Sequence, residues 1–140
     1  MAGQNQIVIE SSVVVKWFSE EEKTTEALAI RDAHIEKRAT LLTTPLLTCE
    51  VANALRYKPD FNIGRFTDAM NYLFRLHLQE TALDERLLSR SGEIAFKSGV
   101  TIYDALPVAL AILMKTKCIT ADRETQYMKL KGRNYPIELL

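Results

Sequence analysis

The sequence predicts an α/β domain with a short, mostly parallel central sheet flanked by helices. Three observations carry that expectation. The runs Ile7-Val8-Ile9, Leu41-Leu42-Thr43 and Cys118-Ile119-Thr120 have the length and residue types of strands buried on both faces. Segments of helical length separate them, the pattern of a parallel sheet with crossover helices. Ala105, Leu106, Val108, Ala109, Leu110, Ala111, Ile112, Leu113 and Met114 leave no polar residue until Lys115. A helix with no polar stripe suits water on no side and belongs in the core.

Composition bounds the rest. A chain of 140 residues is expected to fold as a single domain, residues 1–140, with a core that needs no staples. Eighteen acidic and eighteen basic residues balance, so the chain as a whole is no generic polyanion binder, although a local basic groove is allowed. Cys49 and Cys118 have no metal-type spacing. The longest apolar run is too short to span a bilayer, and the N-terminus lacks the basic start of a leader, with Glu10 interrupting its apolar stretch. The expected location is the cytoplasm.

The elements follow in order. After the first strand come Glu10, Ser11 and Ser12; Ser12 can cap a short helix from Val13 to Phe18, but three successive valines argue locally for more strand, and both remain open. Glu20, Glu21 and Glu22 are expected to open an amphipathic helix to about Arg38 as a solvated first turn, at the positive end of its dipole. Thr44-Pro45 predicts a helix start with the proline at the first helical position, and Leu47, Val51, Ala54 and Leu55 its inward stripe. Glu50 falls inside that apolar arc, away from solvent. Lys58-Pro59-Asp60 breaks the chain before a helix from about Arg65 to Leu78, whose apolar groups on more than one face suggest core on one side and a partner on the other. His77 in that stripe reads as packed or interfacial, and His34 has no partner at metal spacing. Thr81-Ala82-Leu83 predicts a third short strand, and Asp84 caps a helix to about Lys97 that Ser98-Gly99 ends. Asp104 is expected at the N-cap of the apolar helix, which puts Pro107 in the first turn, where its missing N–H costs nothing. Asp122 begins the next helix, to about Leu130, stopped near Gly132, and Tyr135 to Leu139 reads as a last strand, with Pro136 allowed only at its start or on an edge.

In parallel sheets the site lies beyond the carboxyl ends of the strands. Glu10 and Asp122 directly follow strands, Asp104 starts a helix leaving that edge, and Glu50 leans back toward it because helical side chains point N-terminally. Four carboxylates together repel unless a cation neutralises them. Oxygen ligands without a His or Cys cluster suit Mg²⁺ or Mn²⁺ rather than zinc. Such a centre can activate water and hold a phosphate for in-line attack with no histidine base. Taken singly, Asp104 and Asp122 read equally well as caps, and Thr101 with Asp104 spells a capping box. The four acids together make the functional reading stronger.

With these residues in view the chain resembles the PIN-domain family, most closely its VapC-type toxin nucleases. IVIESSVVVKWF is similar to the family's opening strand, acid, serine and short helix, LLTCEVANAL to its glutamate-bearing helix, and TIYDALPVALAI with CITADRE to its paired aspartate motifs. The resemblance implies a Mg²⁺- or Mn²⁺-dependent endoribonuclease acting on single-stranded or looped RNA, with Glu50, Asp104 and Asp122 as acids and Ser12 and Thr120 as hydroxyls beside the metal. It also implies a homodimer, an antitoxin partner, and a helix after Ser12. One position departs: the family usually has aspartate where this chain has Glu10, which moves the carboxylate by about 1 Å, a displacement that can cost roughly a hundredfold in rate. A PIN-like module that binds RNA or protein but cleaves poorly is therefore the second reading. A nucleotide-binding doubly wound domain is the third, and it lacks a Gly-rich phosphate loop. Lys16, Arg56, Lys58 and Arg123 are the candidate phosphate contacts.

Overall fold

A computed structural model describes residues 5–140; the first four residues, where the leader reading begins, lie outside the described residues. The described residues form one five-stranded sheet in the order β3-β2-β1-β4-β5, with every pairing parallel. The strands are β1 (Asn5–Ile9), β2 (Ala39–Thr43), β3 (Gln79–Glu80), β4 (Cys118–Thr120) and β5 (Ile137–Leu139).

Alternation along each strand builds two cores. Val8, Leu42 and Cys118 face one side, under α5 (Glu85–Ser98), α6 (Ile102–Leu113) and the short α7 (Met128–Leu130). Their neighbours Ile9, Leu41 and Ile119 face the other, under α1 (Ser11–Val15), α2 (Thr24–Ile35), α3 (Leu47–Arg56) and α4 (Ile63–Arg75). Residues Ala105 through Ala111 of α6 are all buried, as a helix apolar on every face requires. No single helix among the described residues is long and apolar enough to cross a membrane.

Several boundaries differ from the sequence expectation. After Ser12 the chain is helical, and the cap is Glu10, whose carboxylate accepts from the Ser12 N–H. The helix expected at Glu20 begins only at Thr24, because the Thr24 hydroxyl accepts the Glu21 N–H and closes a turn there. Pro45 lies in a turn before α3, whose N-cap is Leu46, so Glu50 stands in the first turn. The third strand comes two residues early, at Gln79–Glu80. α4 spans Ile63–Arg75, which leaves His77 exposed beyond its end with φ +50°. Thr101, not Asp104, caps α6: its Oγ1 accepts the Asp104 N–H at 3.0 Å, and Pro107 consequently falls in the second turn. Asp84 does cap α5, and Gly99 ends it in the left-handed conformation.

Candidate active site

The connections of the sheet reverse direction at β1. Both β2 and β3 lie to one side of it and β4 and β5 to the other, so the carboxyl ends of β1 and β4 flank the crevice where α/β sheets bind ligands. Val8 pairs with Cys118 and Ile9 with Ile119, and the Glu10 N–H continues the ladder to the Ile119 carbonyl at 3.1 Å. That register sets Glu10 beside Thr120.

A hydroxyl network fixes the junction. Glu10 Oε1 accepts the Ser12 N–H at 2.9 Å and the Ser12 hydroxyl, and lies 3.4 Å from Thr120 Oγ1. Glu10 Oε2 accepts from Ser11 Oγ at 2.9 Å. Ser12 Oγ in turn accepts the Ala121 N–H at 2.8 Å, and Thr120 Oγ1 the Asp122 N–H at 3.0 Å. Ser12 and Thr120 thus bind the backbone on both sides of the crevice to one carboxylate.

The other acids surround it. Burial, then the charge of Glu10, raises the Glu50 carboxyl to about 7; a hydrogen bond from Ser11 opposes this and the charge of Asp104 adds to it. Burial, then Asp122 and Glu10, raise Asp104 above its usual range, against the Thr101 bond. Asp122 caps the π-turn Arg123–Tyr127, accepting the Thr125 N–H at 3.0 Å. All four carboxylates therefore share one field. Among the described residues no three His, Cys, Asp or Glu side chains close on a point that one metal ion could occupy. Both Glu10 oxygens are drawn into the cap of α1 and its serines instead. As a donor set the four acids fit a hard divalent cation: every donor is an oxygen, and the raised Glu50 and Asp104 carboxyls are in the state a cation relieves.

A model of the PIN domain matches residues 7–129. The chain belongs to the PIN-domain family. It is similar to ribonuclease VapC3 of Pyrobaculum aerophilum, with 30% identity over 123 residues, 85% of this chain and 91% of that protein. Among solved structures, VapBC2 of Rickettsia felis bound to a promoter DNA fragment superposes with a TM-score of 0.69 at 11% identity, covering 96% of this chain and 98% of the other. Mycobacterium tuberculosis VapC20, a toxin that cleaves the sarcin–ricin loop, gives 0.66 at 10%, covering 92% and 95%. At those identities the structures speak for the PIN fold alone, and β5, beyond the matched segment, extends the PIN sheet by pairing with β4.

The predicted basic residues are disposed differently. Lys16 and Lys58 both pair with Glu21, Lys16 at 3.3 Å, and Lys16 also donates to the Glu22 carbonyl at 2.7 Å. The acidic run thus precedes the helix rather than forming its first turn, and of its three acids Glu20 and Glu22 are exposed while Glu21 is half-buried. Burial works to raise the Glu21 carboxyl, but Lys58 and Lys16 outweigh it and hold it below its usual range. Arg56 lies over the Tyr57 ring at 5.1 Å, and Arg123 stands 3.6 Å from Glu124. Neither histidine joins the acids: His34 bridges the Leu41 N–H and the Leu76 carbonyl.

Sequence reading missed Gln126. It is 0% exposed, and its Nε2 donates to the Asp104 carbonyl at 2.8 Å, which ties the turn behind Asp122 to the first turn of α6. Its Oε1 has no hydrogen-bond partner among the described residues. The one signal was a polar residue four before Leu130, in the buried register of that segment.

Proposed function

We propose that this PIN protein is a Mg²⁺- or Mn²⁺-dependent endoribonuclease, the toxin of a toxin–antitoxin pair acting in the cytoplasm. The observation that carries the proposal is the elevation of the Glu50 and Asp104 carboxyls by burial and by the acids around them, in a chain 30% identical to a ribonuclease. Glu10, Glu50, Asp104 and Asp122 would hold the cation. When bound, it neutralises their repulsion, polarises the scissile phosphate and lowers the pKa of the attacking water. Ser12 and Thr120 orient Glu10, and Gln126 holds Asp104 against Asp122. Lys58, Lys16, Arg56 and Arg123 bind backbone phosphates of single-stranded or looped RNA.

The partners in this reading are an antitoxin protein and a second copy of the chain. α4 leaves Ile63 86% and Phe74 65% exposed, apolar surface of the kind a protein partner covers. The test is cleavage of a mixed RNA pool with Mg²⁺, Mn²⁺ or EDTA, with Asp104→Asn as control. A folded protein that cuts nothing in either metal overturns the proposal.

The second reading, a PIN module that binds without efficient cleavage, is favoured by the engagement of both Glu10 oxygens with α1 and its serines. Glu10→Asp separates the two. Aspartate still caps α1, since a short carboxylate reaches the N2 N–H as well, and it draws the charge back toward the strand. Cleavage is expected to hold or rise; a clear loss would mean the longer side chain is adapted to its place.

Gln126→Met keeps the side-chain length and removes both the donor and the unpartnered Oε1. The melting temperature should hold or rise, because a buried unsatisfied oxygen costs about 1–3 kcal/mol. Mn²⁺ affinity should fall roughly 10- to 100-fold, the usual effect of losing a group that orients a ligand. Calorimetric Mn²⁺ titration beside thermal unfolding reads both, and a parallel fall would reduce Gln126 to packing.

A further inference from the structure

The groove behind the serines of the acid cluster holds two of the lysines assigned above to phosphates, and an aromatic ring with no role there. A cavity of about 440 Å³ is lined by Ser12, Ala121, Lys16, Glu21, Lys58 and Tyr57 among others. Its inner wall is continuous with the cluster, since the Ala121 N–H binds Ser12 Oγ, which donates to Glu10. The volume falls within the roughly 300–1,000 Å³ of small-ligand sites. Two ammonium groups against one carboxylate leave its lining net positive. Glu21 holds both lysines on that wall: it reaches Lys16 from five residues away in sequence and Lys58 from 37.

Tyr57 supplies the other half of the argument. It is 73% exposed, so no core requirement explains an aromatic ring there. Arg56 covers one face of the ring at 5.1 Å and stiffens it, and at that exposure the opposite face is open. An open aromatic face beside cations is how single-stranded nucleic acid is held: bases stack on the ring while the cations follow the backbone.

We infer that this cavity is a nucleotide subsite, in which Tyr57 stacks the base of a nucleotide adjoining the scissile bond and Lys58 and Lys16 hold its phosphate. The inference rests on the ribonuclease reading and adds to it where the RNA enters and which residue grips a base. An acidic peptide would suit the lysines but has no use for a ring stiffened on one face.

The test uses the full-length Asp104→Asn protein and short fluorescent single-stranded RNAs of mixed sequence, with binding read by anisotropy. Adding Tyr57→Ala should weaken binding about 5- to 150-fold, the range for one stacked base, while Tyr57→Phe retains it. An abasic nucleotide moved along the RNA should cost that same factor at one position, and nothing at that position in the Tyr57→Ala protein. Lys58→Met should lower the slope of log affinity against log salt by about one. Equal affinities with and without Tyr57→Ala, with RNA still bound, overturn the subsite and leave the nuclease standing. A protein that binds no RNA overturns both, and binding of acidic peptide in competition with RNA at the lysines, indifferent to Tyr57→Ala, assigns the cavity to a protein partner.

Discussion

Asp104→Asn is expected to lower metal-dependent RNA cleavage by roughly a hundredfold or more while leaving the protein folded. In the proposed centre one carboxylate ligand would be lost, and misplacing a group by about 1 Å can already cost about a hundredfold. The carboxyl's own bond in the fold is with the Thr101 side chain, and an asparagine Oδ1 can accept it as well. The bonds that anchor its segment run through the Asp104 backbone, the N–H to Thr101 Oγ1 and the carbonyl from Gln126 Nε2, and asparagine keeps both. Stability should hold or rise at neutral pH. Burial and the charges of Asp122 and Glu10 raise the Asp104 carboxyl, so its ionised form is the one the folded state disfavours, and the amide resembles the neutral form. Cleavage assays beside thermal melts decide it: undiminished cutting removes Asp104 from the site, and an unfolded variant shows that the carboxylate serves structure.

What the sequence disclosed and what it hid divide along a physical line. Strands buried on both faces announce themselves as unbroken apolar runs, and the acids that follow them mark the edge of the sheet, so Glu10 and Asp122 were legible together with the parallel architecture. Glu50 was legible because a helical stripe has a geometry that counting recovers. Helix starts were legible at Asp84 and Asp122 but not where several capping side chains stand close together, because caps compete within a few tenths of a kcal/mol to about 2 kcal/mol. Thr101 won over Asp104, and Glu10 over Ser12, on which side chain met a free N–H. Contacts distant in sequence were hidden altogether. Nothing local says that Glu21 answers Lys58, or that Gln126 reaches across to the Asp104 carbonyl. Those two contacts arrange the surroundings of the acids, so the cluster could be read while its supports could not.

The metal-free protein should lose stability as pH rises from about 4.5 to about 7, and Glu50 should be the principal cause. Its carboxyl titrates near the ordinary 4.5 in the unfolded chain and at about 7 in the folded one, where burial and then the charge of Glu10 disfavour the ionised form. Between those values the folded state binds more protons than the unfolded state, which makes the slope of unfolding free energy against pH negative. The contribution is complete below about 4.5 and gone above about 7. Asp104 acts in the same direction, while Glu21, held low by its lysines, acts in the opposite one: its stabilisation is present above its unfolded pKa and fades as pH falls. Comparison with Glu50→Gln isolates the single group, since that variant should show a flatter profile and greater stability at about pH 8 in EDTA. Mn²⁺ should reverse the decline in the unaltered protein, with affinity that rises through about pH 7 as the proton leaves, because a carboxylate must be ionised to hold a cation. Denaturant melts at stepped pH, with EDTA and with Mn²⁺, measure all of this. Parallel profiles for the two proteins would mean that Glu50 faces water like any surface acid, and its proposed place among the metal ligands would fall with that result.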